Sequence, residues 1–422
     1  EEIGAGKAVP GVAECYPVPE KPVEIKAAPT KLAARIGCDI DAATMKAILE
    51  NLDFTVEEKG EDSWVVTVPT WRKDCDCSAD LSEEVARMYG YDKIESKTPE
   101  LIMARGGQAP IEDVKDMIRD TLTGIGLDEV MTYSFYNAQV FDNLGLPADD
   151  SRRKALQIIN PISDDFRTIR TTLTPCLLST VAYNQARQSE RTAIFEVGRV
   201  FIPKTLPLTD FPEEKMVLAI AMSGKRNPLS WNTAKDAIDF YDIKGALEEV
   251  MDSLQVKGLS YGPTKEVFLH PGKSCAISYE GKVIGFMGAI HPTVQDRFGL
   301  SAETYVLEVE IAPFVKSAEQ IPQFEHVPQF PSVSRDIAVV VKAGVSASDL
   351  EAEIRKEGGA LLVDVRIFDV YTGKQVKSGY KSVAFNLTFQ DVTRTLQDKD
   401  VDDVIKQIVA NVQDKFGGML RD

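Results

Sequence analysis

The apolar positions of this 422-residue chain change period several times, and each change predicts an element. Near the start, Val23 to Lys26 reads as a short strand, Pro29 to Ile36 as a helix, and Asp41 to Leu52 as a second helix after a turn at Gly37. Phe54 to Glu57 and Trp64 to Val68 are strand-like, and Lys59, Gly60, Glu61 and Asp62 between them supply turn chemistry, which predicts a hairpin. Helical period returns from Asp80 to about Tyr89, ahead of the polar, proline-containing stretch DKIESKTPE. The first part is therefore expected to be a small α/β module followed by a linker.

The middle opens with a helix at Ile111 to Gly124. Runs rich in β-branched and aromatic residues follow at Glu129 to Phe135, Ala193 to Phe201, Met216 to Met222 and Tyr305 to Ile311, with helices at Thr174 to Arg187 and Asp242 to Leu254. Strands and helices mix without regular βαβ alternation, so an antiparallel sheet with flanking helices is expected, including a hairpin of Cys275 to Tyr279 and Val283 to Met287 around Glu280-Gly281-Lys282. From Phe330 the order is strand (Val333 to Lys342), helix (Ser346 to Lys356), strand (Leu361 to Tyr371), strand (Tyr380 to Gln390), helix (Val401 to Phe416) and a short strand near Met419. That β-α-β-β-α-β order is the ferredoxin-like plan. The fold class is α+β and multidomain, with boundaries at 1–21 (a connector), 22–98, 99–325 and 326–422.

Composition narrows the setting. A hydrophobic fraction of 44% and a charged fraction of 27% are ordinary for a soluble globular protein, and no apolar run approaches a membrane span. The opening from Glu1 has neither a basic n-region nor an apolar h-region, so it is expected to be a cut inside a longer protein rather than a signal peptide. Six scattered cysteines suggest a reducing compartment, by default the cytoplasm. The net charge of −17 repels phosphate and disfavours DNA as a partner. From Phe330 onward, 13 basic residues face 14 acidic ones, so any basic face is expected there.

One segment, PTWRKDCDCSADLSEEVARMYGYDKI, concentrates candidate chemistry. At about 100° per helical residue, Leu81, Val85, Met88 and Tyr89 share one face while Asp80, Glu83, Glu84 and Arg87 share another, with Asp74 just upstream. Such oxygen donors suit a hard cation such as Mg²⁺. Asp80 and Glu83 also have the spacing of a helix cap and its capping-box partner, and residue types alone leave both readings open.

Other signals are weaker. Cys75-Asp76-Cys77 lacks the second pair that a structural zinc needs. Gly272-Lys273-Ser274 ends like a P-loop, but Val267 stands where its first glycine belongs. The three histidines are dispersed, no Gly-x-Ser-x-Gly occurs, and His270-Pro271 and His291-Pro292 suit turns at hairpin ends, so no catalytic residue is assigned. In the last segment, Arg335, Arg366, Lys374, Lys377, Lys381 and Arg394 alternate with Tyr371, Tyr380, Phe385 and Phe389, a pattern suited to a single-stranded RNA loop and equally to any half-buried sheet.

The string WRxD, five residues, D, two residues, EE, then VARMYGYDKI, is very similar to the signature of the small domain in bacterial phenylalanine-tRNA ligase β subunits. NPIS, RTIRTTLTPCLL, IFEVGRVF and DFYDIKG resemble the class II synthetase-like module of that family. FPSVSRDIAVVV, GYKSVAFNLTFQ and GGMLRD resemble its ferredoxin-fold anticodon-binding domain. The opening GAGKAVPGVAECYPVPEKP resembles the connector after the family's editing domain, so proofreading is not expected of this chain.

The resemblance implies a Mg²⁺ site shared with the α subunit and built from Asp74, Asp80, Glu83 and Glu84. It also implies tRNA(Phe) as a partner, an α₂β₂ assembly, and ATP as the driver of charging in the holoenzyme. An active class II synthetase needs a Gly-x-Gly-x-x-Arg motif to hold ATP, and none occurs here, which agrees with a β subunit whose module is a catalytic relic. Two other classes of function are weighed. A metal-dependent hydrolase on the same carboxylates would want histidine and ligands from several strands. A free-standing RNA-binding adaptor would act without any α subunit.

Overall fold

In the computed structural model, residues 3–7, 9–98, 102, 106–318, 324, 326–373 and 375–421 are described. The chain divides into two compact units, Glu1–Gly107 and Gln108–Asp422. No helix among the described residues is long and apolar enough to cross a membrane.

The first unit contains β1 (Glu24–Ala27), α1 (Pro29–Ile36), α2 (Ala42–Asn51), β2 (Thr55–Gly60), β3 (Ser63–Thr67) and α3 (Ser78–Tyr89). Pro29 suits the first turn of α1, and Gly37 ends it with φ 80°, returning its N–H to Ala33 O. Asp41 caps α2 by accepting from Thr44 N. The strands form an antiparallel sheet in the order β1-β3-β2. Leu32, Met45, Leu49, Trp64, Val66, Leu81 and Val85 close its core.

The second unit contains α4 (Pro110–Gly124), β4 (Asp128–Glu129), β5 (Phe135–Tyr136), α5 (Gln139–Asn143), β6 (Thr168–Ile169), α6 (Thr174–Gln185), β7 (Arg191–Ile202), β8 (Glu213–Gly224), α7 (Phe240–Ser253), β9 (Leu259–Gly262), β10 (Leu269–Tyr279), β11 (Lys282–Ile290), α8 (Pro292–Phe298) and β12 (Thr304–Glu310). Seven strands make one sheet in the order β4-β7-β8-β12-β11-β10-β9, antiparallel except where β4 runs parallel to β7. Helices α4 and α7 cover one face through Ile118, Leu122, Leu247 and Val250. Helices α5, α6 and α8 cover the other through Phe141, Leu177, Val181 and Val294. Covering both faces explains why β7 reads as a nearly continuous apolar run.

The strand expected from Glu129 to Phe135 is instead two short strands, β4 and β5, with Met131 and Tyr133 exposed between them. The cause is a long-range competitor. Glu196 takes the Thr132 N–H at 3.3 Å and its hydroxyl at 2.6 Å, which draws the backbone off the ladder.

The last part holds β13 (Val333–Lys342), α9 (Ala347–Gly358), β14 (Leu362–Tyr371), β15 (Tyr380–Phe389), α10 (Asp398–Phe416) and β16 (Met419–Leu420), with sheet order β14-β15-β13-β16. This is the ferredoxin-like arrangement. Ile337, Val339, Val341, Val383, Phe385, Leu387 and Phe389 pack beneath Leu350, Ile354, Ile408 and Val412 of the two helices. Among the described residues, no helix covers the other sheet face.

Candidate functional site

The signature segment is organised by an arginine. Arg72 grips Asp74 with two donors, Nε at 3.1 Å and Nη2 at 2.8 Å, and reaches Glu84 through Nη1 at 2.9 Å. Glu84 is buried on α3 and also accepts from Arg87 Nη2 at 2.7 Å. Arg72 first, then Arg87, overcomes the cost of burial and holds the Glu84 carboxyl at about 2. Asp74, paired with the same Arg72, also lies at about 2. Beside them, burial pushes the Cys75 thiol up to about 11.

Asp80 turns towards backbone. Its Oδ2 accepts from Asp76 N and Cys77 N, both at 2.9 Å, completing a capping box with Cys77 at the N-cap, and these amides hold its carboxyl below the usual range. Glu83 is exposed and makes no hydrogen bond or ion pair among the described residues.

Asp74 and Glu84 are thus brought together through Arg72, while Asp80 and Glu83 remain unmatched by any guanidinium. The donors are hard oxygens, the right type for Mg²⁺, which binds one or two carboxylates and keeps its waters. Ligand atoms of Asp76, Cys77 and Asp80 lie within 4.8 Å of one another, a group that adds Asp76 to the residues singled out by sequence. The roles of Arg72 and Arg87 were signalled by spacing: Arg72 stands two residues before Asp74, and Arg87 is three residues after Glu84 on the same helix.

The middle sheet carries buried charge of a different kind. Arg170 donates to Glu196 at 2.7 Å and to Arg199 O at 2.8 Å. It crosses β7 where Gly198 leaves room, since a Cβ there would come within 2.6 Å of Arg170 Nη2. Glu308 of β12 is buried and collects Thr172 Oγ1, Leu173 N, Thr174 N and Thr174 Oγ1 on a single oxygen, Oε2. These groups tie the RTTLT loop to the sheet. The two His-Pro pairs lie at the open end of the β10–β11 hairpin. His270 Nδ1 accepts from Gly272 N at 3.1 Å, and His291 caps α8 by accepting from Thr293 N at 3.3 Å.

On the ferredoxin-like sheet, alternation sorts the candidates. Phe385 and Phe389 are fully buried in the core beneath the helices. The open face carries Ala338, Val340, Ser382 and Ala384 as a floor of small or short side chains, with Arg366, Tyr371 and Tyr380 among its edges. Arg335 is bound to Asp398 at 2.7 Å, Arg394 to Asp400 at 2.7 Å, and Arg366 to Asp364 at 2.8 Å. Lys377 and Lys381 sit at the other end of β15 and, like Lys342 and Arg421, form no ion pair among the described residues. Lys377 lies over Tyr380 at 5.8 Å and Arg421 over Tyr371 at 4.9 Å. Lys374 lies outside the described residues. Sequence reasoning missed Lys342 and Arg421, because the pairing register that places them beside the two tyrosines is set by the fold.

A family model for the phenylalanyl tRNA synthetase beta chain CLM domain matches residues 94–311, just over half of the chain. The chain belongs to the phenylalanyl-tRNA synthetase β-chain family. A tRNA synthetase B5 domain model matches residues 25–91, which include the four carboxylates, and a ferredoxin-fold anticodon binding domain model matches residues 328–421. The phenylalanine-tRNA ligase β subunit of Clostridium acetobutylicum is 33% identical over 422 residues, covering 100% of this chain and 52% of that protein. The corresponding subunit of Vibrio cholerae is 38% identical over 427 residues, with the same coverage of 100% and 52%. Among solved structures, a pyrrolysyl-tRNA synthetase from Desulfitobacterium hafniense aligns at TM-score 0.39 and 12% identity, covering 50% of this chain and 71% of that one. The chain spans about half the length of the curated relatives it matches.

Proposed function

We propose that this chain is a non-catalytic part of a phenylalanine-tRNA ligase β subunit that supports the ATP-dependent joining of phenylalanine to tRNA(Phe) in the cytoplasm. The observation that carries the reading is the order of three modules, each matched by a synthetase domain description, along a chain with no Gly-x-Gly-x-x-Arg motif. Bond chemistry would belong to an α subunit partner in an α₂β₂ assembly, and ATP would be used there.

Within this reading the chain has four parts, 1–21, 22–98, 99–325 and 326–422. Asp74, Asp80, Glu83 and Glu84 would contribute to a Mg²⁺ site completed by the α subunit. Glu83 and Asp80 are the direct donors in this proposal, because arginines already neutralise Asp74 and Glu84. The last domain would bind the anticodon side of the tRNA on its open sheet face. There Tyr371 and Tyr380 offer aromatic rings, and Lys342, Lys377 and Arg421 offer charge that no acidic side chain among the described residues neutralises. Arg366 on that face is held by Asp364, whereas Arg335 and Arg394 are tied to Asp398 and Asp400 of α10.

Co-expression with a phenylalanine-tRNA ligase α subunit, followed by size exclusion and a charging assay, tests the proposal. Co-elution with α and tRNA charging by the complex is the expected result. Separate elution would remove the central claim. Tight tRNA binding by the chain alone would favour the adaptor reading, and Mg²⁺-dependent phosphodiester cleavage lost in Asp80→Ala would favour the hydrolase.

A further inference from the structure

We propose that the cavity between α4, α7 and the paired ends of β7 and β8 binds a free α-amino acid with an apolar side chain. Its volume is about 610 Å³, within the range of small-molecule sites.

The charges that line it are not balanced locally. Arg226 is more than matched, by Asp242 at 2.8 Å, Asp239 at 2.9 Å and Asp236 at 3.6 Å. Arg191 and Glu249 are left, and neither forms an ion pair among the described residues, although both line the same space. Arg191 is half-buried. Its Nη2 donates to Gly126 O at 3.1 Å, and its Nε is buried with no hydrogen-bond partner among the described residues. A buried guanidinium N–H without an acceptor is costly, so the arrangement calls for a carboxylate that is supplied from outside the chain. Glu249, the unmatched acid on α7, supplies the opposite pole for an ammonium group. One free cation and one free anion on a shared cavity select a zwitterion over a simple anion or cation.

Part of the wall is apolar. Leu127, Met222 and Ile238 are buried residues at the cavity, and Tyr241 stands at its rim 75% exposed, a ring free to cover a ligand side chain. Gly245 lies inside helix α7, where glycine is the poorest ordinary helix former, and a Cβ built on it meets nothing within 4 Å. The helix therefore leaves open, at Gly245, the face it shares with Tyr241 and Glu249, where a ligand side chain would lie.

Calorimetric titration of the 422-residue chain with L-phenylalanine and L-leucine tests the assignment, alongside two half-ligands, 3-phenylpropionate without the amine and phenethylamine without the carboxylate. Saturable one-to-one binding of the amino acids is expected, with affinity roughly tenfold or more lower for each half-ligand and for Arg191→Gln and Glu249→Gln. Gly245→Leu should fill the cavity and abolish binding, and a thermal melt as high as that of the parent chain would show the fold intact. Glu249→Gln is an exposed substitution and keeps the test readable if the other variants fold poorly. Absence of saturable heat with either amino acid, as expected of a cavity reserved for a protein side chain, overturns the proposal, as does undiminished binding in both charge variants.

Discussion

Glu308 holds the start of α6 through Thr174, whose amide and hydroxyl both donate to the same carboxylate oxygen, at 2.9 and 2.8 Å. The carboxylate comes from β12, so a strand residue supplies the cap that no residue preceding the helix provides. Burial pushes the Glu308 carboxyl upward, while Thr172 and Thr174 pull in the other direction. Glu308→Ala would leave these donors buried without an acceptor and is expected to cost about 3–5 kcal/mol in urea unfolding. Glu308→Gln keeps one acceptor oxygen and is expected to cost about 1–3 kcal/mol. A Glu308→Gln variant as stable as the parent would show that the carboxyl is protonated in the folded chain.

Glu84 gives the first unit a defined acid sensitivity. Its carboxyl lies at about 2 in the fold against an ordinary value of 4.5, chiefly because Arg72 binds the charged form. A depressed acid contributes stability above its unfolded pKa and loses it as pH falls through the folded one. The contribution is therefore complete above about pH 4.5 and drains between there and about pH 2, with a size on the order of 2 kcal/mol after allowance for partial solvent access. Fluorescence of Trp64, buried in the same core, should report the loss, and Glu84→Gln should flatten the dependence across that window. An unchanged slope in the variant would assign the acid sensitivity to other carboxylates.

Where local pattern and final environment agree, the chain is legible. Pro29 and Gly37 bound α1 as their backbone preferences require, and the order of elements from Val333 to Leu420 follows directly from period changes and turns. Legibility ends where a partner lies far away in sequence. Thr132 leaves its expected strand because Glu196, 64 residues on, takes its backbone donor. The carboxylate segment was visible as a cluster, yet its division into Arg-bound Asp74 and Glu84, cap-forming Asp80 and free Glu83 depends on how Arg72 folds back against α3. The sheet faces are a matter of parity: Lys381 shares its side with Val383 and Phe385, whereas Tyr380 shares the open side with Ser382. Which parity faces the helices was not decided by alternation alone.

The proposed division of the carboxylates separates metal binding from folding. Asp80→Asn keeps an oxygen able to cap Asp76 and Cys77, and Glu83→Gln changes an exposed side chain without a partner, so both variants should melt within about 0.5 kcal/mol of the parent chain. In complex with an α subunit, each should raise the Mg²⁺ concentration needed for half-maximal charging by roughly tenfold or more, since even groups that only orient metal ligands change affinity by that factor. Glu84→Gln should instead destabilise the first unit in the absence of metal, because it leaves Arg72 and Arg87 short of their shared partner. Unaltered Mg²⁺ dependence in both Asp80→Asn and Glu83→Gln would remove the metal role from this segment.

The two ends of the last sheet should behave differently towards RNA. At one end, Arg335 and Arg394 are committed to Asp398 and Asp400 of α10, so Arg335→Ala and Arg394→Ala are expected to lower thermal stability and leave RNA affinity nearly unchanged. At the other, Lys342, Lys377 and Arg421 have no acidic partner among the described residues, and replacing any one by Ala should weaken binding of an anticodon stem-loop at all sequences and reduce the salt slope by about 1, whereas Lys381→Ala, on the helix side, should change little. Tyr371→Ala should weaken binding by roughly 1–3 kcal/mol with the salt slope preserved, because stacking on a base carries no counterion release. Fluorescence anisotropy at several salt concentrations distinguishes these outcomes. A loss of slope in Arg335→Ala with none in Lys377→Ala would place the RNA at the α10 end and overturn the assignment.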